Sequence, residues 1–313
     1  MARIAALFPG QGSQSVGMGR DLAERWPAAA AAFAEIDAGL GLPLSTLCWE
    51  GPEEELRLTT NTQPALLAHS VAAWRVLADH GFSVEAVAGH SLGEYSAVVA
   101  AGGATAVDAA RTVRERGRLM QQAVAVGDGA MAAVLGLDDE LVTAVCAGVA
   151  RDTGETVVAA NFNAPGQVVI AGSAAAVARA VEELKARGAR RALPLPVSAP
   201  FHSPLMAPAR EGLEPVLGEL ALADLEVPLY RNVDAAPVRS AEAVRDGLIR
   251  QVDAPVLWTQ TITRLRSDGF DTFVEVGCGS VLCGLVKRID RSVTCYPAGT
   301  VEEIEKVVSE VLS

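Results

Sequence analysis

The segment Gly89-His90-Ser91-Leu92-Gly93 has the residue types and spacing of a nucleophile elbow, G-x-S-x-G. In such an elbow the serine occupies a sharp turn between a strand and a helix, and the flanking glycines leave room for its strained backbone. The next N–H then lies at a helix N-terminus, where free donors stabilise an oxyanion. The pattern predicts that Ser91 is a nucleophile. The alternative is a glycine-rich turn with an inert serine.

A nucleophilic serine needs a base, and the chain contains four histidines. His202 directly precedes Ser203-Pro204, a pair typical of a helix start with serine as the N-cap and proline at the first position. The other three histidines lie beside the serine or in a predicted helix. His202 is therefore the predicted base for Ser91, and its place after the serine matches the order in elbow enzymes. A capping histidine without a catalytic part is the alternative.

One arginine of the predicted helix 106–126 lies beside an apolar face. The residues one helical turn away from Arg116 are mostly apolar: Thr112, Val113, Leu119 and Met120. A buried guanidinium must meet an anion. A structural ion pair with a protein carboxylate and a bound anionic ligand are both compatible with this pattern.

The loop after the first predicted strand, residues 9–19, is rich in glycine and serine. It matches neither the P-loop pattern nor the dinucleotide-binding glycine pattern. Free backbone N–H groups at a strand end still suit an anion, including a reacting oxyanion, and Gln11 is the candidate donor. A flexible turn is the alternative.

Composition excludes several classes of protein. The net charge of −12 over 313 residues argues against general nucleic-acid binding. No uncharged apolar run reaches membrane-spanning length and the N-terminus lacks a signal-peptide core, so we expect a cytoplasmic protein that does not bind membranes. The cysteines show no paired spacing, so we expect all of them to be reduced and structural. They are Cys48, Cys146, Cys278, Cys283 and Cys295.

The order of predicted elements indicates an α/β protein with an insertion. Residues 1–126 and 197–313 alternate short apolar strands with helices and form the predicted larger domain. Residues 127–196 follow the order βαββαβ, which predicts a ferredoxin-like subdomain. Within the larger domain we expect residues 61–64 to cap a helix that begins at Ala65. We also expect a strand over 229–233 and a last helix over 301–312.

Several motifs, in the right order, resemble those of malonyl-CoA:acyl carrier protein transacylases of fatty-acid synthesis and the related acyltransferase domains of polyketide synthases. The resemblance extends over essentially the whole chain. The motifs that carry it are Phe8-Pro-Gly-Gln-Gly-Ser13, Thr62-Gln-Pro-Ala65, Gly89-His-Ser-Leu-Gly-Glu-Tyr95, Arg116-Gly117, Gly129-Ala-Met131, Asn161-Phe-Asn-Ala-Pro-Gly-Gln167, Phe201-His-Ser203 and Glu275-Val-Gly277.

The resemblance implies a two-step acyl exchange without metal or cofactor. Ser91 would carry the malonyl group and His202 would be its base, oriented by the backbone carbonyl of Gln251 rather than by an acid. The oxyanion donors would be the N–H groups of Gln11 and Leu92. The fold implied is a hydrolase-like α/β core interrupted by the ferredoxin-like subdomain, with the site in the cleft between them.

The resemblance also implies how the substrate is bound. Arg116 would form a bidentate pair with the free malonyl carboxylate. His90 and Asn163 match positions around the site, without a defined role. Phe201 matches the bulky residue of malonyl-specific relatives and would disfavour the branched methylmalonyl group.

Malonyl-CoA and acyl carrier protein are the expected partners, and we expect a monomer. Three alternatives remain: a transacylase serving a polyketide synthase, an acyl hydrolase, and a non-catalytic module that binds carrier protein. Because carrier proteins of such pathways are acidic, docking requires a local basic patch. Two clusters qualify: Lys185, Arg187, Arg190 and Arg191, and Lys287, Arg288 and Arg291.

Overall fold

The computed structural model describes residues 3–197 and 199–311. The strands of this part are β1 (Ile4–Phe8), β2 (Ala86–Gly89), β3 (Gly129–Leu135), β4 (Val157–Ala164), β5 (Gln167–Ser173), β6 (Arg191–Pro194), β7 (Leu229–Tyr230), β8 (Pro237–Val238), β9 (Thr272–Val276) and β10 (Thr294–Ala298). The helices are α1 (Arg20–Arg25), α2 (Pro27–Leu40), α3 (Leu44–Glu50), α4 (Glu53–Arg57), α5 (Thr59–Asp79), α6 (Gly93–Ala100), α7 (Ala106–Gln122), α8 (Asp139–Thr153), α9 (Ala174–Ala186), α10 (Ala207–Glu219), α11 (Ala241–Arg250), α12 (Trp258–Ser267), α13 (Val281–Ile289) and α14 (Val301–Val311). None of these helices is both long and apolar enough to cross a membrane.

The larger sheet has the strand order β10-β9-β1-β2-β7-β8, parallel except for β8. Its central strand β1 is apolar throughout because helices cover both faces of the sheet. Ala6 and Phe8 join a core that includes residues of α2, α5 and α7. Ala5 and Leu7 point the other way, into a core with residues of α12 and α13.

The parallel arrangement brings the carboxyl ends of β1, β2, β7 and β9 to one edge of the sheet. The loop after β1, the elbow after β2 and the turn after β7 therefore meet there. Ligands of open α/β sheets generally bind at this edge.

A second, four-stranded antiparallel sheet has the order β4-β5-β3-β6. With α8 and α9 it forms the βαββαβ unit predicted from the sequence, so the predicted fold class is confirmed. Alternate residues again separate two environments. Ala132 and Ile170 pack under α8 and α9, whereas Met131 and Val169 face the larger core. The domain boundaries near residues 127 and 196 stay a prediction.

Helix α5 begins earlier than the sequence indicates. It starts at Thr59, so Pro64 lies inside it rather than at its start. Burial explains the difference, because Thr59, Thr62 and Gln63 are at most 2% exposed and pack within the fold. Tertiary packing here outweighs the helix-breaking tendency of proline.

The predicted strand 229–233 is wrong beyond Tyr230, because the chain leaves the sheet there. The backbone N–H of Asn232 donates to Glu94 instead of a neighbouring strand. The last helix, α14, is described to Val311, and residue 312 of the predicted helix lies outside the described residues.

The prediction that all five cysteines are reduced is wrong for two of them. Cys283 of α13 and Cys295 of β10 form a disulfide, with their Cα atoms 5.3 Å apart. The two are twelve positions apart in sequence, and α13 packs against β10 so that they meet. Cys48, Cys146 and Cys278 are free and buried.

Candidate active site

Ser91 lies on a strained turn between β2 and α6, with φ at 52°. Both glycines of the pattern are required by contact. A Cβ on Gly89 would lie 1.9 Å from the backbone carbon of Gly93, and one on Gly93 would lie 2.0 Å from the carbonyl oxygen of Phe8. The backbone of the serine is thus held in a left-handed conformation by close packing of the turn on β1.

Asn232, in the turn after β7, holds the backbone of the elbow by two hydrogen bonds. Its side-chain oxygen accepts the N–H of Ser91 at 2.7 Å, and its amide nitrogen donates to the carbonyl of Gly89 at 2.7 Å. One buried side chain therefore joins both sides of the turn that presents Ser91. No sequence pattern signalled this residue.

The hydroxyl of Ser91 donates to Nε2 of His202, with Oγ and Nε2 2.7 Å apart. On the other side of the ring, Nδ1–H donates to the backbone carbonyl of Gln251 at 2.9 Å. This bond selects the tautomer with a free lone pair on Nε2, which faces the serine. The predicted pair of Ser91 and His202 is therefore brought together, and a backbone carbonyl, rather than a carboxylate, orients the histidine.

His202 is 4% exposed. Burial, and secondly the positive charge of Arg116, lower the pKa of His202 to about 3. The imidazole is therefore neutral at neutral pH and able to accept a proton.

Arg116 is 2% exposed and extends from α7 to the elbow. Its Nη2 donates to Ser91 Oγ at 3.1 Å and to Gln251 Oε1 at 2.9 Å, and its Nη1 donates to Gln63 Oε1 at 2.8 Å. In the described part of the chain, none of the ion pairs involves Arg116; neutral amide oxygens hold it instead. The structural ion pair considered for this residue is thus not formed, and the guanidinium faces the serine with its full charge.

Gln11 and Leu92 follow the ends of β1 and β2, and both line the cavity above Ser91. Within residues 3–197 and 199–311, the backbone N–H of neither is bonded to a protein acceptor. Gln11 is further held by a bond from its Nε2 to Thr59 Oγ1 at 3.2 Å. Two free N–H groups beside the serine can act as donors to an oxyanion.

Asn163 of β4 contacts the elbow from the smaller sheet. The Nε2–H of His90 donates to Asn163 Oδ1 at 2.8 Å, and the His90 ring packs at 5.4 Å from the ring of Trp258. Burial lowers the pKa of His90, so it stays neutral. Asn163 therefore links the smaller sheet to the turn that carries Ser91.

These residues surround a cavity of about 570 Å³ between the two sheets. Phe201, only 8% exposed, lines it beside His202. The smaller sheet contributes the opposite wall: Met131, Ala133, Asn161, Asn163, Gln167 and Val169. The sequence-predicted residues around the site thus share one cleft, except for Gln251 at the end of α11, which is fully buried behind it and bonds to Ser91, Arg116 and His202.

Three residues around the site had no predicted role. Gln63 and Glu94 stand inside motifs that carry the resemblance, which was the available signal. Asn232 had none, because its role depends on where β7 ends. All three form hydrogen bonds within the network around Ser91.

The chain is similar in sequence and in fold to known acyl transferases. A malonyl CoA-acyl carrier protein transacylase of Bacillus subtilis (strain 168) is 46% identical over 308 residues, which are 98% of this chain and 97% of that protein. The crystal structure of an acyl-carrier-protein-S-malonyltransferase from Bartonella henselae has a TM-score of 0.96 at 44% identity, covering 99% of this chain and 100% of that one. A malonyl-transacylase solved in complex with its type II polyketide synthase acyl-carrier protein has a TM-score of 0.96 at 46% identity, covering 98% of this chain and 99% of that one. The family model described as acyl transferase domain matches residues 6–308. This chain therefore belongs to the acyl transferase domain family.

Proposed function

We propose that this enzyme transfers a malonyl group from malonyl-CoA to the phosphopantetheine thiol of an acyl carrier protein, through a malonyl ester of Ser91. The observation that carries the proposal is the environment of one atom. Ser91 Oγ lies 2.7 Å from a neutral imidazole nitrogen and 3.1 Å from a buried guanidinium. A nucleophile, its base and a binding group for a carboxylate thus converge on one atom.

In the first step Ser91 Oγ attacks the thioester carbonyl of malonyl-CoA while its proton passes to His202 Nε2. The N–H groups of Gln11 and Leu92 stabilise the negative oxygen of the tetrahedral intermediate. The C–S bond then breaks, the malonyl ester remains on Ser91, and the proton on His202 passes to the coenzyme A thiolate.

The second step is the reverse with a different thiol. His202 accepts the proton of the phosphopantetheine thiol, and the sulfur attacks the malonyl ester. The ester bond breaks, the carrier protein leaves as the malonyl thioester, and the proton returns to Ser91 Oγ. His202 can serve in both directions because its Nδ1 bond to Gln251 keeps the same tautomer.

Arg116 supplies the selectivity for a carboxylated acyl group. Its guanidinium is buried and close enough to Ser91 that the free carboxylate of an acyl group on Oγ can pair with it. A guanidinium in this place favours a carboxylated acyl group over an uncharged one. Phe201 beside the base disfavours an α-methyl branch, which in a pocket is worth about 1–3 kcal/mol.

The carrier protein is the proposed acyl acceptor, and the complex of the related transacylase with its carrier protein supports this. Of the two basic clusters, the one at Lys287, Arg288 and Arg291 is connected to the cleft. Arg288 Nη1 donates at 2.6 Å to Oε1 of Gln167, which lines the cavity. We propose this cluster as the docking surface. Three expectations stay predictions: that the malonyl group supplies fatty-acid rather than polyketide synthesis, that the protein is cytoplasmic, and that it is a monomer.

Intact-protein mass spectrometry with malonyl-CoA tests the proposal. The wild-type chain should gain one malonyl mass and lose it when holo acyl carrier protein is added, and Ser91→Ala should gain none. Ser96→Ala is the control, because Ser96 Oγ of α6 is buried and has no hydrogen-bond partner among residues 3–197 and 199–311. Labelling that survives Ser91→Ala, or a label released to water rather than to the carrier, would overturn the assignment.

A further inference from the structure

Glu94 is a buried carboxylate close to the site that takes no part in the proposed chemistry. It lies in the first turn of α6, three residues after the nucleophile, and is 1% exposed. It is not among the residues that line the cavity. Burying a carboxylate costs free energy unless hydrogen bonds compensate, so its contacts require an explanation.

Both oxygens of Glu94 accept hydrogen bonds. Oε1 accepts the backbone N–H of Asn232 at 2.8 Å, and Oε2 accepts the side-chain Nε2–H of Gln251. Burial raises the pKa of Glu94, while these two donors and the charge of Arg116 act in the opposite direction. The pKa of Glu94 is thus raised to about 8, and the two N–H donors favour the ionised form, in which both oxygens only accept.

The amide of Gln251 lies between Glu94 and Arg116. Its Nε2 donates to Glu94 and, at 2.9 Å, to the carbonyl of Ser91. Its Oε1 accepts Arg116 Nη2 at 2.9 Å. A flipped amide would direct Nε2–H at the guanidinium and leave Glu94 facing an oxygen, so both ends of the amide would be repelled.

We infer that Glu94 is a positioning residue that fixes the orientation of the Gln251 amide and thereby aims Arg116 at the acyl group on Ser91. The inference rests on the proposed function and deepens it. The side chain of Gln251 transmits the effect, while its backbone carbonyl independently orients His202. Glu94 therefore acts on selectivity for carboxylated acyl groups more than on the serine chemistry itself.

Glu94→Gln is the direct test, because it keeps the size of the side chain and removes one of its two acceptors. The rate of acylation is measured by mass spectrometry in single turnovers with malonyl-CoA and with acetyl-CoA. We expect malonyl transfer to fall by about tenfold to a hundredfold, as for a misplaced binding group. Acetyl transfer, which does not use Arg116, should fall much less. Equal losses on both substrates, or a malonyl rate within threefold of wild type, would overturn the inference.

Glu275→Gln is the matched control. Glu275 is likewise buried and accepts two N–H groups, but these belong to Leu282 at 3.0 Å and Cys283 at 2.7 Å, neither of which bonds to Ser91, Gln251 or Arg116. Loss of a buried acceptor should lower the thermal stability of both variants. Only Glu94→Gln should change the ratio of malonyl to acetyl rates. A similar change in Glu275→Gln would make the effect one of stability alone.

Gln251→Met identifies the route of the effect, since it removes the amide but keeps the backbone carbonyl for His202. This variant alone should show the malonyl-selective loss, which keeps the test valid if Glu94→Gln does not fold. In the Gln251→Met background, Glu94→Gln should change the ratio no further. Additive effects would mean that Glu94 does not act through Gln251. The wild-type chain is measured alongside: if it does not accept malonyl, the proposed function fails rather than this inference.

Discussion

The two sheets differ in the number of buried polar side chains beside them. At the carboxyl edge of the parallel sheet, Glu94, Arg116, Asn232 and Gln251 are each at most 2% exposed and hydrogen-bonded to one another or to the elbow. Among residues 127–196, all of which the structure describes, Asn161 is the only buried polar residue. Both sheets wall the same cavity, yet only one holds a buried polar network.

The difference follows from the cost of burying polar groups. Each buried donor or acceptor must be paired, so the network around Ser91 has few alternative arrangements and holds its atoms rigidly. In the antiparallel sheet, Met131, Ala133 and Val169 give the cleft its shape, and Asn163 forms a single hydrogen bond to the elbow, at His90. We therefore expect changes in the first region to affect the reaction and changes in the second to affect substrate fit.

The largest effect is expected at the base. His202→Ala should slow acylation by malonyl-CoA by about 10²–10⁴-fold, the usual loss for a general base. Rapid-quench mass spectrometry measures the rate. His80→Ala is the control, because His80 lies exposed at the end of α5, where its ring bonds to Val76 and packs against Trp26, and it does not line the cavity. Near wild-type acylation in folded His202→Ala would remove this residue from the mechanism.

Arg116 should have the next largest effect, confined to carboxylated acyl groups. A hydrogen bond to a charged group is worth about 1.5–3 kcal/mol, so Arg116→Ala should lower kcat/KM for malonyl-CoA by about 10- to 150-fold. Acetyl-CoA should be affected far less. Arg114→Ala, on the opposite side of α7, is the control. Matching losses with both substrates would indicate a structural arginine.

The smaller sheet should contribute less. Asn163→Ala removes the neutral partner of His90 and should lower kcat/KM by about twofold to tenfold, the value of one neutral hydrogen bond. Thr143→Ala, on the exposed side of α8, should have no effect. Steady-state kinetics distinguish the two. A loss as large as that of His202→Ala would contradict the expectation that the smaller sheet affects substrate fit rather than the reaction.

The last prediction is that His202 does not become protonated between pH 7 and pH 5. Because burial and Arg116 lower the pKa of His202 to about 3, its ring should keep the neutral Nδ1–H tautomer as the pH falls from 7 to 5. An exposed imidazole would gain its proton in this interval, around pH 6.5. Nitrogen-15 chemical shifts of labelled histidine measure this, with His202→Asn to assign the signals. A protonation midpoint above pH 6 would show that the imidazole is solvated.

Local patterns were sufficient to predict the residues that are held by their neighbours in sequence. The G-x-S-x-G spacing predicts the elbow because both glycines are required by contacts within the turn and with the adjacent strand. Helical periodicity predicts that Arg116 is buried, and the order βαββαβ predicts the smaller sheet. The elbow and the loop after β1 already indicated the N–H groups of Leu92 and Gln11 as oxyanion donors, and the resemblance added Gln251, which no spacing would have identified.

Long-range contacts decided the rest. Pro64 lies inside α5 and Cys283 meets Cys295 because packing and topology, rather than neighbouring residues, determine these positions. The sequence alone determined which residues could do the chemistry and on which turns they stand. Only the tertiary structure decided that Glu94, Gln251 and Arg116 form one chain of donors and acceptors. They come from three different helices or their ends, and buried polar groups must find partners wherever the fold brings them.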